Sequence, residues 1–170
     1  MSGEQPWIHD VLERWEGPLL RYTRSITGDL ETARDVVQDA FLRLCAQPRE
    51  RVEARVAEWL FTVCRHRALD LRRKEGRMTE LPPATLAAAA SAEPAPTAVA
   101  EGRDLLALVD GLPPGQAEVV RLRFQEGLSY KEIAAVTGHS VGNVGFLLHT
   151  ALKGLRARAQ ATEQVEGCAP

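Results

Sequence analysis

The chain has 170 residues, 45% of them apolar and only 5% aromatic, with a formal net charge of −2. That length allows one ordinary domain or two small ones, and the scarcity of aromatics favours helices packed through Ala, Leu and Val over a β-sandwich. A near-neutral balance excludes nucleic-acid binding through overall charge, so any such activity must come from local patches.

The first block, residues 5–77, reads as helices throughout. Ile8, Val11, Leu12, Trp15, Leu19, Leu20 and Tyr22 recur at helical spacing, and Gly28-Asp29 supplies a stop and a new start. From Leu30 to Ala46, Ala33, Val36, Val37, Ala40, Phe41, Leu44 and Cys45 line one side. A third helix is expected over Val56 to Lys74, with Ala57, Leu60, Phe61, Cys64, Ala68 and Leu71 inward.

Residues 78–100 then break the pattern. The stretch LPPATLAAAASAEPAPTAVA, Leu81 to Ala100, holds no Lys or Arg, and Pro94 and Pro96 block helix continuation. Read as a flexible linker, about 20 such residues average roughly 25 Å end to end. A short Ala-rich helix is the alternative.

The second block, residues 101–160, is again helical. Leu105, Leu106, Leu108 and Val109 end at Gly111, and Pro113-Pro114-Gly115 turn the chain. Ala117 to Phe124 form a helix stopped by Gly127. Ser129-Tyr130-Lys131-Glu132 has the spacing of a capping box at the head of a short helix, Tyr130 to Val136. Thr137-Gly138-His139 turns the chain and Ser140 caps a further helix, in which Val144 points inward, as does Ala134 before the turn. Short helix, glycine turn and second helix make a helix-turn-helix signature. The expected fold is all-α, two small helical domains joined by the linker.

Two faces do not look like core. The back of the Leu30–Ala46 helix gathers Glu31, Asp35, Gln38, Asp39 and Leu42. An exposed leucine among carboxylates suits a basic helical partner, although a solvated surface with one stray leucine has the same composition. The third helix ends in Arg65, His66, Arg67, Arg72, Arg73, Lys74 and Arg77, against Asp70 and Glu75. That density exceeds what the helix dipole requires and points to phosphate binding.

Other chemistries find no support. Cys45, Cys64 and Cys168 are odd in number and lack CxxC or HxxxC spacing, which argues against a disulfide framework and a metal site. Cys45 and Cys64 fall in apolar helical stretches and are expected as small core side chains. No catalytic residues or cofactors are expected, since no phosphate-binding loop, metal-ligand cluster or nucleophile–base pair appears. No apolar run approaches the ~20 residues that span a bilayer, so no membrane insertion and a cytoplasmic location are expected.

Taken together, GPLLRYTRSITGDLETARDVVQDAFLRL, AEWLFTVCRHRALDLRRK and LPPGQAEVVRLRFQEGLSYKEIAAVTGHSVGNV resemble regions 2 and 4 of the extracytoplasmic-function sigma factors, the promoter-recognition subunits of bacterial RNA polymerase. The resemblance covers nearly the whole chain. It implies that Asp35, Gln38, Asp39 and Leu42 dock on the clamp helices of the core RNA polymerase β′ subunit. It implies that Trp59, Arg65, His66, Arg67, Arg72, Arg73, Lys74 and Arg77 recognise and hold open the −10 element of promoter DNA, with no catalytic group needed. The second block would approach the −35 element beside the β flap, through Ser140, Asn143, Phe146, His149, Lys153 and Arg156. An anti-sigma factor or other regulator is an expected further partner.

Some positions depart from the family pattern. Arg34 stands where a Glu is common, and His66 where an Asn is frequent, which would alter −10 preference or make it respond to pH near about 6.5. In SVGNVGFLLHTALKGLR, Ser140 to Arg156, no Lys or Arg occurs from Val141 through Ala151. Relatives often carry basic residues at the positions of Gly145, Leu147 and Thr150, and a small polar one at that of Phe146. One reading keeps this helix in the major groove, with Asn143 on a base edge and Phe146 on thymine methyls. Another makes Phe146 and Leu147 a protein contact with weak −35 recognition; Leu148, and with it Leu147, are expected in the core. Two further classes compete with a sigma factor: a free-standing helix-turn-helix regulator, and a sigma-like interaction protein. The Asp35–Leu42 face discriminates against the regulator, which has no use for it.

Overall fold

Local chemistry decides where each helix begins and ends. In the computed structural model, which describes residues 4–78 and 106–166, α1 (Glu4–Thr27) runs through Pro18. It stops at Gly28, whose φ of +79° would cost a residue with a side chain roughly 1–2 kcal/mol. Asp29 then caps α2 (Leu30–Cys45): its Oδ2 accepts from the Thr32 amide and the Thr32 hydroxyl, each at 2.8 Å. Those bonds hold the Asp29 carboxyl below the usual carboxylate range. A short α3 (Arg49–Val52) and a 3-10 turn (Glu53–Arg55), neither evident in the apolar periodicity, lead into α4 (Val56–Met78).

The chain divides into two compact units. In the first, α1, α2 and α4 pack pairwise. Leu19 and Tyr22 of α1 meet Val36, Ala40 and Leu44 of α2 and Leu60, Phe61 and Cys64 of α4 in a core where all eight are buried. The Phe61 ring takes Trp15 and Tyr22 edge-on, with centroids 6.0 and 5.3 Å apart, an arrangement that adds about 0.5–1.5 kcal/mol per pair beyond area burial. Because α2 and α4 each commit one stripe to this core, their opposite stripes are turned outward.

Cys45 corrects the sequence reading. It is exposed, not part of the core stripe, because it is the last residue of α2 and lies about 100° round the helix from Leu44. Ala57 and Leu71 are half-buried at the edge of the α4 stripe.

In the second half of the chain, α5 (106–110) is followed by α6 (Pro114–Val120), with Pro114 in its first turn. The single helix expected over Ala117–Phe124 is instead α6 continued by a π-helical turn, Arg121–Gln125. Here Glu126 N–H bonds Arg121 C=O at 3.0 Å and Leu128 N–H bonds Leu122 C=O at 2.9 Å. The wider turn rotates Phe124 outward while Leu122 stays buried. Gly127, at φ +74°, ends it. Arg121 pairs with Asp110, tying this turn back to α5.

The capping box forms as expected. Ser129 N–H donates to Glu132 Oε2 at 2.7 Å, and Glu132 N–H to Ser129 Oγ at 3.2 Å, closing the start of α7 (Tyr130–Thr137). Gly138, at φ +78°, turns the chain into α8 (Val141–Glu166). Ser140 Oγ accepts from Asn143 N–H at 3.1 Å. α6 packs on α8, and Val119, Leu122, Ile133, Val144, Leu148 and Ala151 are buried. Ala134 is half-buried. Every described element is a helix. The expected linker, Leu81–Ala100, lies outside the described residues.

Candidate nucleic-acid interface

Three outward stripes carry the residues singled out in the sequence. On α2, Asp35, Gln38, Asp39 and Leu42 stand at i, i+3, i+4 and i+7, one stripe opposite the core residues Val36, Ala40 and Leu44. Leu42 is 65% exposed, and Asp35, Gln38 and Arg34 are exposed with it. Asp39 is half-buried, and its Oδ2 lies 2.9 Å from Arg43 Nε. This ion pair was legible as an i, i+4 Asp–Arg spacing and was missed. It places a cation at the edge of the acidic stripe.

Behind that stripe, Asp39 and Thr23 both act on Cys64. Burial pushes the Cys64 thiol up from an ordinary 9.0 to about 12; the Thr23 hydroxyl lowers it and the Asp39 charge raises it further. Such a thiol stays protonated and unreactive.

α4 does not present its cations on one face. Trp59, His66 and Arg73 recur at i, i+7 and i+14, directly opposite Leu60, Cys64 and Ala68. Arg65 and Arg72 form one flank, Arg67 and Lys74 the other, each pair one heptad apart. Trp59, Arg65, Arg67 and Arg72 are half-buried, whereas His66, Arg73 and Lys74 are exposed. Arg73 Nη1 lies 3.3 Å from Asp70 Oδ1, both side chains largely in solvent, so the pair is weak and yields readily to a phosphate. Arg77 lies in the last turn of α4, with its side chain outside the described residues. An aromatic in a row with an imidazole and a guanidinium, flanked by cations, can stack unpaired bases and follow a phosphate backbone.

On α8, Phe146, His149 and Lys153 stand at i, i+3 and i+7, opposite the buried Val144, Leu148 and Ala151. Phe146 is 66% exposed. Asn143 and Thr150 flank this row, and Arg156 continues it. The Thr150 hydroxyl donates back to Phe146 C=O at 2.9 Å. Leu148 is core as expected, while Leu147 is only half-buried, about 70° off the core direction. Asn143 Nδ2 lies 3.2 Å from His139 Nδ1, a contact across the Ser140 cap that the i, i+4 spacing allowed and the sequence reading overlooked. Tyr130 stands beside this helix: a Cβ on Gly145 would lie 3.7 Å from its ring, and the Arg123 guanidinium lies over the same ring with Cζ 5.4 Å from the centroid.

Among the described residues, no helix is long and apolar enough to cross a membrane. Nor, among the described residues, do three or more His, Cys, Asp or Glu side chains group so that they could hold a metal ion.

Both halves of the chain match known family models. Residues 11–78 match the family model for Sigma-70 region 2, and residues 102–155 that for Sigma-70, region 4. The ECF RNA polymerase sigma factor SigD of Mycobacterium tuberculosis is 32% identical over 166 residues, covering 92% of this chain and 78% of SigD. SigL of the same organism is 34% identical over 164 residues, covering 94% of this chain and 92% of SigL. The solved structure of CnrH in complex with the cytosolic domain of CnrY superposes with a TM-score of 0.63 at 26% identity, covering 94% of this chain and 92% of CnrH. With both regions matched in order and relatives above 30% identical along most of their length, the chain belongs to the extracytoplasmic-function sigma factors of RNA polymerase.

Proposed function

We propose that the three stripes divide the work of initiation. The α2 stripe docks on the β′ clamp helices of core RNA polymerase, with Leu42 in an apolar pocket and Asp35, Gln38 and Asp39 orienting it. The α4 stripe captures the unpaired −10 strand: Trp59 and His66 stack bases, while Arg73 and the flanking Arg65, Arg67, Arg72, Lys74 and Arg77 hold phosphates. Ser140, Asn143, Phe146, His149, Lys153 and Arg156 of α8 meet the −35 element beside the β flap. The working boundaries are 5–77 for the first domain, 78–100 for the linker and 101–160 for the second. The protein acts by binding alone, without covalent chemistry.

The observation that carries this reading is Leu42, 65% exposed and diametrically opposite the α2 core. A leucine held there by a rigid three-helix core is poorly explained by stability and well explained by a partner's pocket. The test is in vitro transcription with core polymerase. The wild-type protein directs initiation at a genomic promoter, and Leu42→Asp abolishes both initiation and co-elution with core. Core binding unaffected by Leu42→Asp would overturn the assignment of this face.

A second reading has support from one feature of α8. Phe146 is exposed in a helix with no Lys or Arg from Val141 through Ala151, as a protein contact requires. CnrH is solved in complex with the cytosolic domain of CnrY, and a protein partner, such as an anti-sigma factor in the cytoplasm, suits this surface. Footprinting of the holoenzyme separates the two: −35 protection that disappears in Asn143→Ala places α8 on DNA, and protection indifferent to both Asn143→Ala and Phe146→Ala removes this face of α8 from −35 recognition.

A further inference from the structure

The first turn of α8 holds a glycine that the fold itself does not require. Gly142 lacks the positive φ of Gly28, Gly127 and Gly138, and a Cβ built on it would meet nothing within 4 Å. Glycine is a poor helix former, so a bare position here is better explained by something that approaches the helix from outside. Gly142 is exposed and stands four residues before Phe146, on the same outward line of α8. A long side chain on a helix leans back over the preceding turn. The exposed Phe146 therefore reaches toward Gly142, and the space over the glycine stays open.

Charge along the same line indicates what that space faces. No Lys or Arg occurs from Val141 through Ala151, and the line then continues in Lys153 and Arg156. The rise of the helix places Lys153 about 16 Å beyond Gly142, and the major groove is about 12 Å wide. An apolar start on the base edges, with cations at the phosphate lip of the groove, fits those lengths. Among the four bases only thymine presents a methyl there. The donors and acceptors of the other three would lose water against glycine and phenylalanine and gain no partner.

We infer that Gly142 and Phe146 form an apolar seat for one thymine methyl of the −35 element, and that Gly142 is a specificity-determining residue because a side chain there would occupy the seat. This rests on the reading of α8 as the −35 helix. Asn143, about 100° round the helix from Gly142, meets a different part of the groove, so the seat and the amide are separable by mutation.

The test uses full-length protein assembled with core polymerase and promoter duplexes in which each thymine of the −35 element, on either strand, is replaced singly by deoxyuridine, which lacks only the methyl. In wild type one such replacement weakens binding roughly fourfold, the effect of burying one methyl-sized group, and the others change it little. Gly142→Leu fills the seat. It is expected to keep or raise the urea midpoint, since leucine favours helix and its Cβ meets no obstruction, yet to weaken binding and abolish the distinction between thymine and deoxyuridine. Phe146→Ala abolishes the same distinction. Lys153→Gln lowers affinity for every duplex alike and keeps it. A methyl preference that survives in both Gly142→Leu and Phe146→Ala overturns the seat, as does a wild type indifferent to every replacement; if Asn143→Ala still removes −35 protection, α8 stays on DNA. Protection that neither Asn143→Ala nor Phe146→Ala changes overturns the reading of α8 as well.

Discussion

Leu42 and Leu44 are two residues apart on α2 and lie on opposite sides of it: Leu44 is 0% exposed in the three-helix core and Leu42 is 65% exposed. The same side chain is therefore buried at one position and, on the docking proposed for this stripe, presented to a partner at the other, and mutation separates the two. Leu44→Ala leaves a cavity among α1, α2 and α4 and is expected to destabilise the protein by about 2–5 kcal/mol. Leu42→Ala removes no buried contact and is expected to change stability by less than about 0.5 kcal/mol, while weakening core polymerase binding by roughly tenfold or more, as for an interface anchor. Urea midpoints and competition for core polymerase measure the two effects independently, and a stability loss at Leu42 equal to that at Leu44 would contradict this division.

Arg43 limits the acidity of the same stripe through its 2.9 Å contact with Asp39. Both side chains are about half exposed, so the pair contributes at most about 1 kcal/mol to stability. A basic partner must compete with Arg43 for that carboxylate. Arg43→Gln is expected to tighten polymerase docking a few-fold at low salt, with the gain shrinking as ionic strength rises. Arg34→Glu, which adds a carboxylate on the neighbouring exposed position, acts in the same direction. Titrations of core polymerase at two salt concentrations decide it; equal affinity for wild type and both variants at low salt removes electrostatics from the docking.

Much of this was legible before any coordinates, because amphipathic helices announce themselves. Val36, Ala40 and Leu44 repeat at the helical period, so Leu42 could be placed on the far side by counting. Cys45 was misplaced because its type, small and apolar, outweighed its angle on the helix. The π-turn at Arg121–Gln125 was invisible for a different reason: slipping one hydrogen bond changes where Phe124 points without changing which residues are apolar. On α4 the density of cations was evident, but a sum of charges does not say that Arg65 and Arg72 leave the helix on one flank and Arg67 and Lys74 on the other. The His139–Asn143 contact depends on the turn at Gly138, which composition does not encode.

Cys64 makes stability depend on alkaline pH. Its thiol is raised to about 12 in the folded protein, chiefly by burial, against an ordinary 9.0 when unfolded. A raised value means the folded state keeps a proton that the unfolded chain releases. The stabilising contribution is complete below about pH 9 and is lost as pH climbs from there toward 12. Urea midpoints of wild type should therefore fall faster between pH 9 and 11 than those of Cys64→Ala, which starts lower and declines less steeply. In a Cys45→Ser, Cys168→Ser background the remaining thiol should react with a thiol reagent only at the rate of unfolding. Parallel pH profiles for wild type and Cys64→Ala would show that the alkaline transition belongs to other groups.

Gly145 offers a direct test of how α8 meets DNA. A Cβ at this position would find only the Tyr130 ring, at an ordinary 3.7 Å, so Gly145→Arg fits without displacing backbone. Replacing a mid-helix glycine should itself stabilise α8 by up to about 1 kcal/mol. If this side of the helix lies along the −35 duplex, the new guanidinium reaches a phosphate and displaces one more counterion. The slope of log K against log salt should then steepen by about 0.9, with tighter binding at low salt and little change in which sequences are preferred. Gly145→Gln, equally helix-favouring but uncharged, separates the two effects: it should share the stability gain and leave the slope unchanged. A slope that stays the same in Gly145→Arg would mean that no phosphate lies within reach of this turn, and would take this side of α8 off the −35 duplex.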